Sequence, residues 1–346
     1  MSAGGEFSCA VTGFAGLEEE ILRLRNTNRE IPETVTYLRW RYQHGQDDPA
    51  PCVFWLLGPG GERVGMAAAI FRPYWVNGVR LPVAVIGDIS LDARLRGRGL
   101  GRVLLGFMTR YLDEHFPAYP ALVIPTESAR RALTNVGWFT VGELAPLVCV
   151  LDPAPYLSPL VRSQTVAAAA ARPLRACARL IIRSLAPRDG SWHFSDAPDP
   201  SFAGLGRGAD THNVTVRDLG LESLTWRYAQ HPHTRFTFAS FRRAGKMCGF
   251  LVFEDRSAEG AYVIYDLAAA SPADMRAMLA SFVLRGLAIP GLAALRVLLD
   301  ERHPARAQLR RTGFIARAHE AVFQVHSRGG SAEGRAWRIT QGDKDT

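Results

Sequence analysis

GDISLDARLRGRGLGRVLLGFMTR, Gly87 to Arg110, is the stretch on which the fold turns. Upstream of it, Val83-Ala84-Val85-Ile86 runs into Gly87-Asp88-Ile89-Ser90-Leu91 with the apolar alternation of a strand. The strand stops at a turn rich in glycine and arginine, and an amphipathic helix starts near Leu100. Gly97, Gly99 and Gly101 let the backbone approach a ligand closely, and the first helical N–H groups face it with the positive end of the helix dipole behind them. Arg94, Arg96, Arg98 and Arg102 add positive charge at the same place. Strand, glycine turn and helix therefore make an anion cradle, and a diphosphate is its natural guest. A phosphate-binding P-loop fits less well, because no Lys-Ser/Thr follows the last glycine, and a dinucleotide fingerprint needs a different glycine spacing.

The spacing Arg96-x-x-Gly99-x-Gly101 after an Ile-x-Asp-Ile-x-Leu strand resembles the acetyl-CoA signature of the GNAT N-acetyltransferases. The resemblance implies an α/β (α+β) GNAT fold and an acetyl-CoA-dependent N-acyltransferase, an enzyme of the acyltransferase class. It places acetyl-CoA as co-substrate on Ile89, Ser90, Leu91, Arg96, Gly97, Arg98, Gly99, Leu100, Gly101 and Arg102. In that family a bulge in the central strand, here near Ile89 to Leu91, presents an N–H to the thioester carbonyl. Gly87 stands where many relatives carry a catalytic glutamate, and Asp88 matches a second acid beside it, so Asp88 is the candidate general base. An aspartate that holds a neighbouring helix or loop is the other reading of Asp88. Glu127 and Glu143 are further acids, and Trp40, His44, Tyr74 and Trp75 are candidates for the acceptor side. The family's acid is a tyrosine three residues before a helix-ending glycine; here Thr134 precedes Gly137, so that acid is missing.

Around the decisive stretch the order of elements agrees. Phe7 to Phe14 reads as a strand, Gly16 to Leu24 and Pro32 to Gln43 as helices, and Cys52 to Leu57 and Val64 to Arg72 as a hairpin. Asn77-Gly78 is a strong turn signal leading into the central strand. After the cofactor helix come a strand at Ala121 to Pro125, a helix from Glu127 to Asn135, and closing strands that run to about Asp152.

A second copy follows. Leu224-Thr225-Trp226-Arg227-Tyr228 repeats Leu38-Arg39-Trp40-Arg41-Tyr42, Val263 to Leu267 repeats Val85 to Ile89, and Ala305 to Phe314 repeats Ala129 to Trp138. Three matches in one order argue for duplication of the whole unit. The second copy has Ala268-Ala269-Ala270-Ser271-Pro272-Ala273-Asp274 in place of the glycine turn, and Asp274 repels phosphate at a helix start. Only the first copy is expected to bind CoA. The domains expected are 1–153 with the CoA turn, 154–190 as linker, 191–328 as the degenerate copy, and 329–346 as a tail, giving two tandem mixed sheets flanked by helices.

In the linker, Arg172, Arg175, Arg179 and Arg183 share a helix face opposite Leu174, Ala178, Ile181 and Leu185. Residues 174–185 thus read either as an interdomain helix that buries its apolar stripe or as peripheral contact with an anionic membrane, and the alanine content favours the first. The tail, taken alone, is a frayed terminus. Its Trp-x-Ile-Thr-x-Gly-Asp-x-Asp ending is similar to that of tandem acyltransferase-like proteins of cell-surface polysaccharide loci, which points to an amino sugar or polysaccharide precursor as acceptor.

Composition sets the outer limits. The net charge is +8, yet only Lys246 and Lys344 are lysines, and the arginines are spread through the chain; this is no concentrated nucleic-acid patch, and no nucleic acid is expected as a partner. Five cysteines without paired spacing suggest reduced thiols, with neither disulfide nor metal site. No apolar run of about 18 residues occurs, and the start lacks a signal-peptide pattern, so a cytoplasmic location is expected. The partner is then a small-molecule or glycan amine. A non-catalytic CoA-binding or membrane-associated assembly protein is the alternative that the missing tyrosine and Gly87 support.

Overall fold

The computed structural model describes residues 6–27, 29–43, 49–205, 213–330 and 332–344. The first copy runs β1 (Ser8–Thr12), α1 (Glu18–Asn26), α2 (Val35–Tyr42), β2 (Cys52–Leu57), β3 (Arg63–Val76), β4 (Val79–Leu91), α3 (Leu100–His115), β5 (Ala121–Val123), α4 (Glu127–Thr134) and β6 (Phe139–Val150). Asn77 and Gly78, with φ of 52° and 79°, turn β3 into β4 as the Asn-Gly signal requires. The linker folds into α5 (Ala154–Val161) and α6 (Gln164–Leu185). The second copy is β7 (Gly190–Ser195), β8 (Val214–Arg217), α7 (Leu221–Leu224), β9 (Phe236–Arg243), β10 (Lys246–Arg256), β11 (Ala261–Ala269), α8 (Pro272–Gly286), β12 (Ala294–Asp300), α9 (Ala305–Arg311), β13 (Ile315–Ala316) and β14 (Ala321–His326), and the tail adds β15 (Ala336–Arg338).

The two copies share one sheet, in the order β1-β2-β3-β4-β5-β14-β6-β12-β11-β10-β9-β7. Each copy gives its closing strand to the other. β14 pairs with β5 of the first copy, β6 pairs with β12 of the second, and β6 and β14 pair with each other. The expected pair of separate sheets is therefore replaced by a continuous one, because the β5 and β12 edges are each covered by the other copy's strand.

A pseudo-two-fold relation runs through the repeated Leu-x-Trp-Arg-Tyr segments. Trp40 and Trp226 stack with ring centroids 5.1 Å apart, and each indole Nε1 donates to the other's carbonyl at 2.9 Å. The two bonds are equivalent, so the repeat read in the sequence is the contact that joins the halves.

Two expectations about flanking segments are corrected. The tail is not frayed: Trp337 and Ile339 are buried, β15 pairs with β8, and β8 pairs with β3. Nor does α6 bury its apolar stripe. Ala167, Ala171 and Ile182 face the protein, whereas Leu174, Ile181 and Leu185 lie on the outside. Small alanines let α6 lie against α8, leaving the bulky side chains no place on that face.

Candidate functional site

β4 and β5 pair in parallel only from Ala84 to Ile86 against Ala121 to Val123. Beyond that point β4 turns away, because a bulge sets Ala67 of β3 opposite two residues of β4: pairing passes from Ala68–Gly87 to Met66–Ser90. Asp88 sits in the bulge with φ of 56°, a conformation uncommon for a side-chain-bearing residue. The strands splay and open a cavity of about 350 Å³. Gly87 to Ser90 line one wall, Ile124 to Thr126 the other, Arg25 comes from α1 and Arg29 from the segment after it, and Asp343 and Lys344 come from the tail.

Downstream of the bulge the chain makes the expected cradle. Gly97 and Gly99 have φ of 75° and 76°, the left-handed region that glycine adopts without strain, and Gly99 caps α3. The amides at the start of α3 have no carbonyl inside the helix to bond, and Arg96, Gly97, Arg98, Gly99 and Arg102 are exposed. A Cβ built on Gly97 or Gly99 meets nothing within 4 Å, so both glycines border open space able to admit a diphosphate. Leu91 and Leu100 are half-buried between the cradle and the core, and Leu91 Cδ1 stands 3.4 Å from a Cβ built on Gly101. Ile89 is half-buried and Ser90 buried at the cavity wall.

Asp88 is 1% exposed at its side chain. Arg25 Nη1 lies 2.7 Å from Oδ2, to which the Tyr42 hydroxyl also donates, and Arg41 Nη2 lies 3.5 Å from Oδ1. Burial alone raises an aspartate pKa; here Arg25, Arg41 and the Tyr42 hydrogen bond outweigh it and hold the carboxyl below its ordinary value. The tyrosine is pushed well above its ordinary range by burial and the neighbouring negative charge. Gly87 has its reason in the same cluster: a Cβ there would run into the Arg41 guanidinium.

The second copy builds the counterpart. Asp266 accepts from Tyr228, Arg217 and Thr340, the last at 2.7 Å. β11 and β12 also part after Ile264 and Val297, and the tail enters the gap: Thr340 bridges to Leu299, the Asp300 N–H donates to the Ile339 carbonyl at 2.9 Å, and a cavity of about 270 Å³ remains between Asp266, Ser271, His303 and Thr340. Every residue of the Trp-x-Ile-Thr-x-Gly-Asp ending has a role there. A Cβ on Gly342 would collide with Tyr228, Arg217 and Asp266. Asp343 accepts from Tyr74 at 2.7 Å and closes a capping box with Thr340, while burial raises its pKa against the pull of Arg217.

The remaining candidates scatter. Thr134 donates to the Arg130 carbonyl and accepts from Gln324 of the exchanged β14 at 2.8 Å. Glu127 is exposed and held to about 2 by its hydrogen bonds to Arg130 and Arg131. Glu143 lies beside His319, 3.6 Å away, and outside the cavity. Tyr74 and Trp75 bond Asp343 and Asp218, Trp40 is in the inter-copy stack, and His44 lies outside the described residues. Arg25, Arg29 and Asp343 were missed. Asp343 was signalled by its place in the tail motif and Arg41-Tyr42 by their repetition; nothing in the sequence singles out Arg25 or Arg29.

Residues 19–135 match the family model described as acetyltransferase (GNAT) family. This match to a GNAT domain falls within the first copy. Solved structures extend the fold over the whole tandem. A conserved Enterococcus faecalis protein of unknown function, described as a probable N-acyltransferase, matches at TM-score 0.66 and 11% identity over 95% of this chain and 74% of its own. A tandem GNAT protein from the clavulanic acid biosynthesis pathway matches at TM-score 0.51 and 13% identity over 94% and 99%. The Saccharomyces cerevisiae N-myristoyltransferase, solved with bound myristoyl-CoA, matches at 0.53 and 11% over 94% and 83%. No curated protein matches by sequence. Among the described residues, no helix is long and apolar enough to cross a bilayer.

Proposed function

We propose that the N-terminal GNAT copy transfers an acyl group from acyl-CoA, with acetyl-CoA as donor, to a primary amine that enters the cavity between β4 and β5. The observation that carries this reading is the left-handed Gly97 and Gly99 turn capping α3, a few residues downstream of the strand whose bulge opens the cavity. Turn amides, α3 dipole and Arg96, Arg98 and Arg102 would hold the diphosphate, and backbone amides from Ile89 to Leu91 would face the thioester oxygen. The second copy, with its groove narrowed by Ile339 to Asp343 and without the glycine turn, completes the fold and supplies a strand.

Asp88 was the candidate base, but its ion pairs and lowered pKa favour a positioning role: it fixes Arg25 and Arg41 behind the bulge. Arg25, Arg29 and Lys344 at the cavity are each paired with a carboxylate, and nucleophilic attack takes a neutral amine, which loses its proton to water afterwards. A thiol ionises at a pKa of about 8.5, so the thiolate can leave without an acid at Thr134. The acceptor we favour is a small-molecule or glycan amine such as an amino sugar of a polysaccharide precursor, modified in the cytoplasm.

Calorimetry tests the donor site. CoA and acetyl-CoA are expected to bind the wild type, and Gly99→Val to weaken both about tenfold or more, since a β-branched residue in the left-handed region costs ~1–2 kcal/mol. Free-thiol release with acyl-CoAs from acetyl to myristoyl and a panel of amines tests the chemistry. Binding with no turnover across that panel would leave a CoA-binding protein rather than an enzyme.

A further inference from the structure

We propose that the α5–α6 hairpin is a docking surface for an anionic lipid bilayer. Eight of the fourteen large apolar side chains exposed among the described residues belong to this hairpin, including Leu160 at 78%, Leu180 at 69%, Ile181 at 63% and Leu174 at 54%. Residues 154–188 contain no aspartate or glutamate and carry six arginines.

The geometry of α6 separates these groups. At 100° per residue, Ala167, Ala171, Ala178 and Ile182 turn toward the protein, and Val166, Leu174, Leu180 and Ile181 occupy a solvent-facing arc beside them. Arg172, Arg179 and Arg183, all exposed, form a row along the flank of that arc. The outer surface of α6 is thus itself amphipathic. A helix that merely spaced two domains needs no such division, because its solvent side would be polar throughout. A 22-residue helix running ~33 Å along the surface lays this pattern out in one line.

The charge selects the occupant. Two copies packed through this face would bring arginine rows together with no carboxylate of the hairpin to offset them. Anionic headgroups neutralise the row, while the neighbouring leucine and isoleucine side chains enter the headgroup–acyl boundary. The surface is separate from the CoA turn and the cavity, so it stands whether or not the acyl-transfer reading does.

Flotation of the full-length protein with vesicles of phosphatidylcholine, alone or mixed three to one with phosphatidylglycerol, tests it. Binding to the mixed vesicles, little to the neutral ones, and release by salt are expected. L180D/I181D and R172Q/R179Q/R183Q should each lower partitioning at least tenfold, with thermal unfolding and the CoA calorimetry unchanged as evidence that the fold survives. Absence of flotation on mixed vesicles, or equal flotation of wild type and both variants, would overturn the proposal. So would a concentration-dependent dimer in light scattering that L180D/I181D abolishes, because the face would then belong to a second copy.

Discussion

Asp88→Asn separates a base from a positioning residue, and the duplicated fold supplies its control. The substitution keeps the shape but removes the negative charge facing two guanidiniums that are each 1% exposed. Breaking a buried ion pair on one side costs about 3–5 kcal/mol, and the lower figure applies because Arg25 retains Glu33 at 2.5 Å. At roughly 2 °C per kcal/mol for a chain larger than 150–250 residues, the unfolding midpoint should fall by about 6 °C. Asp266→Asn, in the copy without a CoA turn, should destabilise comparably, since Asp266 faces Arg217, Tyr228 and Thr340 in the same manner. Free-CoA release by folded Asp88→Asn should drop only a few fold below the unfolding temperature. Loss of a general base costs about 10²–10⁴-fold. An Asp88→Asn protein with an unchanged midpoint and a rate lowered about a hundredfold or more, beside a normal Asp266→Asn rate, would refute the positioning role and restore Asp88 as the base.

Other consequences can be read from the same contacts. Gly342→Ala forces a methyl against Tyr228, Arg217 and Asp266, so calorimetric unfolding should show a loss of about 1–3 kcal/mol; a neutral result would mean the tail is not locked there. A double-mutant cycle on Trp40→Ala and Trp226→Ala should give a coupling of about 1–3 kcal/mol from the stack and its two reciprocal hydrogen bonds, and additive losses would deny the pseudo-two-fold contact. His231 and His303 are both pushed down to about 4, chiefly by burial. Their unfolded forms bind more protons between about pH 6.5 and 4, so their stabilisation is full above pH 6.5 and is lost as pH falls through that window, by about 3 kcal/mol for His303. Asp300, raised to about 6 by burial, and Asp343, raised likewise, act in the opposite direction and partly offset this loss. Thermal midpoints should therefore decline from pH 7 to pH 5, and His303→Gln should flatten the slope.

Much of the fold was legible because it is encoded locally. Glycines at 97 and 99 need positive φ, Asn77-Gly78 is a turn by backbone chemistry, and the β2 boundaries Cys52 to Leu57 coincide with the apolar run that predicts them. The repeat was legible because Trp40 and Trp226 make the same contact from both sides, each indole donating to the other's backbone carbonyl while the rings stack. Gly87 was readable only as a departure from a pattern; the Arg41 guanidinium that fills its space comes from a helix 46 residues earlier, and no local rule predicts that approach.

The sequence alone determined the anion cradle, the duplication and the loss of the cradle from the second copy, since each depends on residues adjacent in the chain. The tertiary structure alone decided that the closing strands are exchanged, that the tail enters the second groove, that Asp88 lies enclosed between two arginines, and that α6 turns its leucines outward. These outcomes rest on which surfaces meet across separations of tens to hundreds of residues. Periodicity can identify an apolar face, but only packing determines whether another part of the chain reaches it first.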